Sequence, residues 1–333
     1  METVSKRSLR AALSGHAALV AFLLFVLFAG SNGVAIRFSD LELPPFWGAA
    51  SRFAVAALLF WAIVLVRREA LPRGRALIGT LSYGIVGVGV TFALIYWALV
   101  HVQPGRASIF LALVPLPTVF LAAAHGLEPL SWRKIAGAVV AVGGIALIVG
   151  LGPGTGLALP VLLVLVVMPV AMAEGNVLLK FFPMAGPMAT NAVAFSAGSL
   201  ILAGLSLVSG ERWSLPAQAR TWASFGYLIV IGTVVVNYLW LAVLARWPAT
   251  KASYGPVLFP VVSVALSAWL TGEVVTASFV LGALVVLAGV WLGAFSRSPR
   301  AAGLPRPVAP EPGAEPAGCA AAREAGLSLP MAC

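Results

Sequence analysis

Charge is what this chain has least of. Only 10% of its 333 residues are charged, against roughly a quarter in a soluble globular domain. Acids are the scarcer sign, 11 against 21 basic residues. So little polar surface excludes a water-soluble fold of this length. Cysteine is nearly absent as well. The two present, Cys319 and Cys333, both lie near the C-terminus, which excludes a disulfide framework and a Cys/His metal site. The three histidines, His16, His101 and His125, are widely separated. No GxSxG, HExxH or Gly-rich phosphate loop ending in GK[ST] occurs. Hydrolytic chemistry and ATP-driven pumping have no residues to run on, so the chain is read as no enzyme and no metal site is drawn.

What is abundant is apolar. Hydrophobic residues make up 61% of the chain and the mean hydropathy is +1.01. Apolar runs repeatedly reach about 20 residues, enough to cross a hydrocarbon layer roughly 30 Å thick. The short alternating segments of a membrane barrel are missing. Reading these runs against loop signals predicts an all-α integral membrane protein with ten transmembrane helices, near 16–37, 44–66, 77–99, 106–125, 134–151, 157–179, 187–208, 222–244, 251–271 and 275–295. Residues 1–15 read as a cytoplasmic N-terminus. Residues 296–333, rich in Pro, Ala and Gly, read as a disordered cytoplasmic tail. The first run, with Lys6, Arg7 and Arg10 before it, resembles a signal peptide, but its counterpart in the second half argues that it is retained.

The net charge of +10 invites a nucleic-acid reading. The positive residues, however, sit in the short loops between spans, where they set orientation. With the N-terminus inside, the inner segments hold sixteen Lys and Arg and the outer ones four, with Arg52 left within a span. Both termini are therefore expected in the cytoplasm of an inner (plasma) membrane, with the lipid bilayer and not nucleic acid as partner.

The chain also repeats itself. An offset of 145 pairs Arg106 with Lys251, Ala107 with Ala252, Ser108 with Ser253, Pro115 with Pro260, Glu128 with Glu273, Gly137 with Gly282 and Gly144 with Gly289. Upstream the offset is 143 and pairs Val34 with Val177, Arg37 with Lys180 and Pro44 with Pro187. Five spans per half force the second half to enter upside down, giving two inverted five-helix repeats, 16–151 and 156–295. Secondary transporters are built this way, with the site near the midplane.

The pattern A-S-x6-P, a Glu thirteen residues later and a Gly-rich span occurs once per half. It resembles the EamA-type repeat of the drug/metabolite transporter superfamily, and "SRFAVAALLF" around Arg52 resembles the family's first-half signature. The resemblance implies ten helices and export or exchange of small metabolites such as amino acids or their derivatives, without a cofactor. It also implies a small-molecule substrate and alternating access. The alternative on the same fold is a translocator of lipid-linked substrates or lipophilic drugs.

Charges inside spans are costly and usually face a cavity or a partner. Arg52 in the second span and Glu174 in "AMAEGNVLLK" are therefore candidate site residues. For Glu174 three readings stay open: a structural partner of Arg52 or a helix-end charge, a substrate contact, or a proton-coupling acid. Protons are accordingly a candidate coupling ion. Asn32, Asn176, Asn237, Tyr238 and Tyr254 complete the expected substrate-binding set. Pro115 and Pro260 are expected to bend their helices as hinges or fixed kinks. Tyr96 and Trp97, close to a span end, are expected at the membrane interface.

Overall fold

The apolar runs form helices, and no strand occurs among the described residues. In hydrocarbon the backbone has to satisfy its N–H and C=O groups within itself, which a helix does locally. The computed structural model describes residues 2–127, 130, 132–150, 157–183, 185–244 and 254–295. In chain order the elements are α1 (Glu2–Ser39), α2 (Pro45–Arg67), α3 (Arg75–Ser82), a π-helical stretch π1 (Tyr83–Val90), α4 (Thr91–His101), α5 (Pro104–Leu111), α6 (Pro115–Ala124) and α7 (Trp132–Gly150). They continue with α8 (Leu159–Phe181), α9 (Pro187–Val208), α10 (Ala219–Ile229), a second π-helical stretch π2 (Val230–Val235), α11 (Val236–Leu244), α12 (Tyr254–Thr271) and α13 (Ala277–Phe295).

Among the described residues seven helical stretches are long and apolar enough to cross a membrane, and Ile135–Ile145, Val257–Thr271 and Ala277–Leu292 are shorter apolar helices. The outward faces are greasy. Val66, Leu200, Val208 and Trp269 are all exposed, which suits a lipid solvent. Glu128, Lys251, Ala252, Ser253 and the tail from Ser296 to Cys333 lie outside the described residues.

Proline sets several helix starts. It opens α2, α5, α6, α8 and α9 at N1 or N2, where its missing N–H costs nothing. The two prolines expected as kinks behave differently. Ahead of Pro115 the backbone bonds tighten to three-residue spacing, Leu113 N to Phe110 O and Val114 N to Leu111 O, and α5 ends before α6 begins. Pro260 sits inside the continuous α12.

Small residues decide which helices meet. α7 packs chiefly on α13, and the crossing is reciprocal. A Cβ at Gly144 would lie 2.6 Å from Val286 N and 2.8 Å from Gly282 O, and one at Gly289 would lie 2.5 Å from Ala141 N and 2.7 Å from Gly137 O. Gly144 thus faces Gly282 while its counterpart Gly289 faces Gly137. As one helix advances the other retreats, so the two run antiparallel, and glycine lets their backbones approach this closely.

Helix starts leave N–H groups that need acceptors, and four carboxylates supply them from one half of the sequence to the other. Glu42 accepts from Ala217 N (3.2 Å) and Gln218 N (3.0 Å), and the Gln218 N–H holds that carboxyl below its usual range. Glu273 accepts from Gly105 N (3.0 Å) and Arg106 N (3.1 Å). Glu211 accepts from Phe46 N (3.1 Å) and Trp47 N (2.8 Å), and Glu69 from Met188 N (3.1 Å) and Ala189 N (3.3 Å). The acid that follows α2 therefore caps α9, and the acid that follows α9 caps α2. Glu211→Ala is expected to lower stability by about 1–2 kcal/mol, the usual worth of an N-cap. Thermal unfolding in detergent measures this, and an unchanged melting temperature would contradict it.

Candidate functional site

The two π-helical stretches occupy matching places, since Gly87 in π1 and Gly232 in π2 are 145 positions apart. A π turn leaves a carbonyl without its usual partner, and such turns often mark functional sites. At each stretch a threonine hydroxyl donates to the carbonyl five residues back, Thr91, just past π1, to Val86 O (2.9 Å) and Thr233, within π2, to Leu228 O (2.9 Å). Each stretch is crossed by a helix at its glycine. A Cβ on Gly175 of α8 would fall on Gly87 Cα, and a Cβ on Gly232 would fall on the Asn32 side chain of α1.

Between these crossings lies a cavity of about 270 Å³. At about 30 Å³ per water that is the room of nine or so waters, enough for a small metabolite. Arg52, Asn32, Asn176, Thr233 and Asn237 bring polar groups to its wall, and Phe25, Met168, Met172, Phe195 and Trp240 are among its apolar lining. Two of these polar residues come from the first half of the sequence and three from the second. Asn32, Arg52 and Thr233 correspond by the repeat offsets to Gly175, Phe195 and Val88. These three polar groups therefore have apolar counterparts or none in the other half.

Arg52 is the charged group of the cavity wall. It is 1% exposed. Its Nε donates to Thr233 Oγ1 (3.1 Å), Nη1 to Tyr96 Oη (3.3 Å) and Nη2 to Gly232 O (3.1 Å). The guanidinium also lies 4.9 Å from the Phe53 ring centre and 5.7 Å from that of Phe92. No carboxylate pairs with it among the described residues. A guanidinium has five N–H groups, and three are engaged, so one on each terminal nitrogen remains. Gly232 O accepts from Asn32 Nδ2 as well (3.1 Å), and Asn32 Oδ1 is buried without a partner. Asn237 Nδ2 donates to Thr233 O (2.7 Å). Asn176 is exposed on the cavity wall. Away from the cavity, at the α1–α2 turn, burial pushes the Asp40 carboxyl well above its usual range, against the Ser39 hydrogen bond and the nearby Arg37, with Glu211 adding to the effect. Its Oδ2 is buried without a partner.

The sequence profile of the EamA-like transporter family matches residues 16–150 and 159–294. The chain belongs to that family. Among curated relatives, it is 27% identical over 286 residues to a Salmonella typhimurium protein named "Probable amino-acid metabolite efflux pump", covering 82% of this chain and 93% of the relative. It is 27% identical to the "Uncharacterized inner membrane transporter YedA" of Escherichia coli K12, covering 76% and 82%. It is 28% identical to a "Probable terminal-alkyne amino-acid exporter" of Streptantibioticus cattleyicolor, covering 66% and 74%. A solved crystal structure superposes with a TM-score of 0.59 at 17% identity over 84% of this chain and 97% of the other, which speaks to fold alone. Family, relatives and apolar helices together make this a multi-pass inner-membrane transporter, and they point away from an enzyme.

In this EamA-family transporter Asn32, Arg52, Asn176 and Asn237 share the cavity, and Glu174 and Tyr238 do not. Successive helical positions are rotated by about 100°. Asn237 facing inward therefore turns Tyr238 outward, where it is 60% exposed and meets a groove beside Phe60 and Met188. In the same way Met172 and Asn176 face the cavity while Glu174 faces α6. There its Oε1 lies 3.3 Å from His125 Nε2, so Glu174 and Arg52 do not pair. The side chain of Tyr254 lies outside the described residues. Tyr96, expected at the membrane interface, is fully buried against Arg52. Thr233, Gly87 and Gly232 were not legible as site residues. The one available signal was the pairing of Gly87 with Gly232 at the repeat offset.

Proposed function

We propose that this protein is a secondary active transporter that exports small polar metabolites, amino acids with apolar side chains above all, by alternating access. The single observation that carries the reading is Arg52: a buried cation without a carboxylate partner, facing a small cavity with two N–H groups to spare. A carboxylate meets such a fork with both oxygens, a charge-assisted contact stronger than a neutral hydrogen bond. The asparagine amide oxygens suit an ammonium group, and the apolar lining by Phe195, Met168 and Met172 suits an apolar side chain. The names of the Salmonella and Streptantibioticus relatives agree with this substrate class.

The architecture in this reading is ten spans in two inverted five-helix repeats, 16–151 and 156–295, with both termini cytoplasmic. The reciprocal Gly144–Gly282 and Gly289–Gly137 contacts and the matched π-helical stretches support it. The site lies where the halves meet, and one half rocks against the other.

The test is counterflow of tritiated leucine in proteoliposomes, competed by phenylalanine, methionine and the matching amines that lack the carboxylate. Amino acids are expected to compete roughly ten- to hundredfold better than their amines, the worth of a hydrogen bond to a charged group. Equal competition by the amines, or uptake of a lipophilic cation with no amino-acid counterflow, overturns the reading.

A further inference from the structure

The strongest unexplained feature outside the cavity is the pair formed by His125, at the end of α6, and Glu174, in α8. The two side chains are 25% and 26% exposed. His125 Nδ1 lies 2.9 Å from Leu121 O. A carbonyl oxygen only accepts, so Nδ1 carries a proton. His125 Nε2 then faces Glu174 Oε1 at 3.3 Å. Either Nε2 is protonated and donates to a carboxylate, or it accepts from a protonated carboxyl. In both cases one proton occupies the link. Without it, a nitrogen lone pair would face a carboxylate, and two acceptors repel. The link between α6 and α8 exists only while the proton is held.

We propose that His125 and Glu174 form the proton-binding site of this transporter, one shared proton latching α6 to α8 and leaving once per cycle. The proposal rests on the transport reading above. Three observations support it. First, the pair joins the two halves of the sequence, His125 lying in the first and Glu174 in the second. Second, the scaffold does not require it: the repeat counterparts are Leu270 and Ser31, and Ser31 instead bonds Tyr227 Oη at 2.6 Å. Third, Glu174 sits on an element that builds the cavity, and His125 ends the helix that follows another such element. Glu174 lies between Met172 and Asn176, and the Gly175–Gly87 crossing is where α8 meets π1. α6 is set off by the break ahead of Pro115 from α5, whose Ser108 and Leu111 face the cavity. α8 is itself a wall of the site, so parting it from α6 frees that wall to move.

The other ionisable groups on the elements packed against α6 and α8 are few. They are Tyr83 on π1, Tyr96 and His101 on α4, Arg75 on α3, Arg106 on α5, Arg133 and Lys134 on α7, and Lys180 on α8 itself. Phe181 meets the His125 ring edge-on at 5.6 Å. By the loop charges this end of α8 faces the cytoplasm, so the proton leaves inward as substrate moves out.

Two measurements test the proposal, the first without any substrate. With Cys319 and Cys333 changed to Ser, spin labels at Leu127→Cys and Lys180→Cys report the α6–α8 separation by electron resonance. Raising the pH is expected to lengthen that distance in the native pair. The distance is expected to be pH-independent in Glu174→Gln and in His125→Asn. A pH-insensitive native distance, or an unchanged response in both variants, overturns the proposal. In the second, a pH gradient drives tritiated leucine accumulation, ideally about tenfold per pH unit for one proton exchanged. Each variant is expected to keep counterflow, which needs no net proton movement, and to lose accumulation. A variant that accumulates like the native protein overturns the proposal. Absence of counterflow from the native protein strikes the substrate reading instead, and the spin-label distances then decide the pair alone.

Discussion

Replacing Arg52 by Met is expected to weaken leucine counterflow roughly ten- to hundredfold while leaving the melting temperature unchanged or raising it. The loss follows from the cavity: without the guanidinium fork a carboxylate has no charged donor, and competition by amino acids should fall roughly ten- to hundredfold. The stability gain follows from burial. A cation without a counter-charge inside a low-dielectric interior costs several kcal/mol, and replacing buried ions by apolar groups of like volume is often neutral or stabilising by about 1–4 kcal/mol. Its three partners do not all become orphans. Gly232 O keeps Asn32, and Thr233 Oγ1 keeps its bond to Leu228 O. Arg52→Lys keeps the charge, loses the fork, and is expected to fall between the two. A destabilised Arg52→Met with normal counterflow would assign Arg52 to the scaffold and remove the main support for the carboxylate site.

At the α7–α13 crossing, Gly144→Ala and Gly289→Ala are each expected to cost about 1–3 kcal/mol, the usual price of overpacking. The clash is with backbone atoms, Val286 N and Gly282 O on one side and Ala141 N and Gly137 O on the other, so no rotamer change relieves it. Once one methyl has pushed the helices apart the second finds room, and the double variant should cost less than the sum. The control is the neighbouring residue. A Cβ at Gly143 meets nothing within 4 Å, and Gly143→Ala should be neutral or gain up to about 1 kcal/mol from helix propensity. Thermal unfolding of the four variants checks the set. Equal effects at positions 143 and 144 would show that the close approach is not what holds these helices.

The site was partly legible in the sequence. A charged or amide side chain inside an apolar run announces that it has no place in lipid, which is how Asn32, Arg52, Asn176 and Asn237 could be named before their cavity was seen. The same rule also named Glu174, because it detects polarity and not direction, while Tyr238 is named by its ring, which could stack on a substrate. Tyr238 is free to point outward, since an aromatic ring with a polar tip tolerates a membrane-facing surface. Glu174 finds its partner in His125, a residue 49 positions away whose role no local pattern could announce. Tyr96 misled for the opposite reason: a tyrosine near a span end usually anchors the interface, and only the packing of α2 against α4 turns its hydroxyl onto Arg52.

The sequence alone establishes that the chain crosses a membrane, because segment length and apolarity are set by the hydrocarbon thickness and need no knowledge of neighbours. It also determined the repeat, since paired glycines, prolines and acids survive at a nearly constant offset, and through them the family. The tertiary structure decided what faces what. Whether Arg52 pairs with an acid or meets a cavity, and whether two glycines touch or lie open, depends on helix rotation and on crossings between residues more than a hundred positions apart. Those choices are made by backbone approach and by the need of each buried polar group for a partner, and neither leaves a periodic trace in the chain.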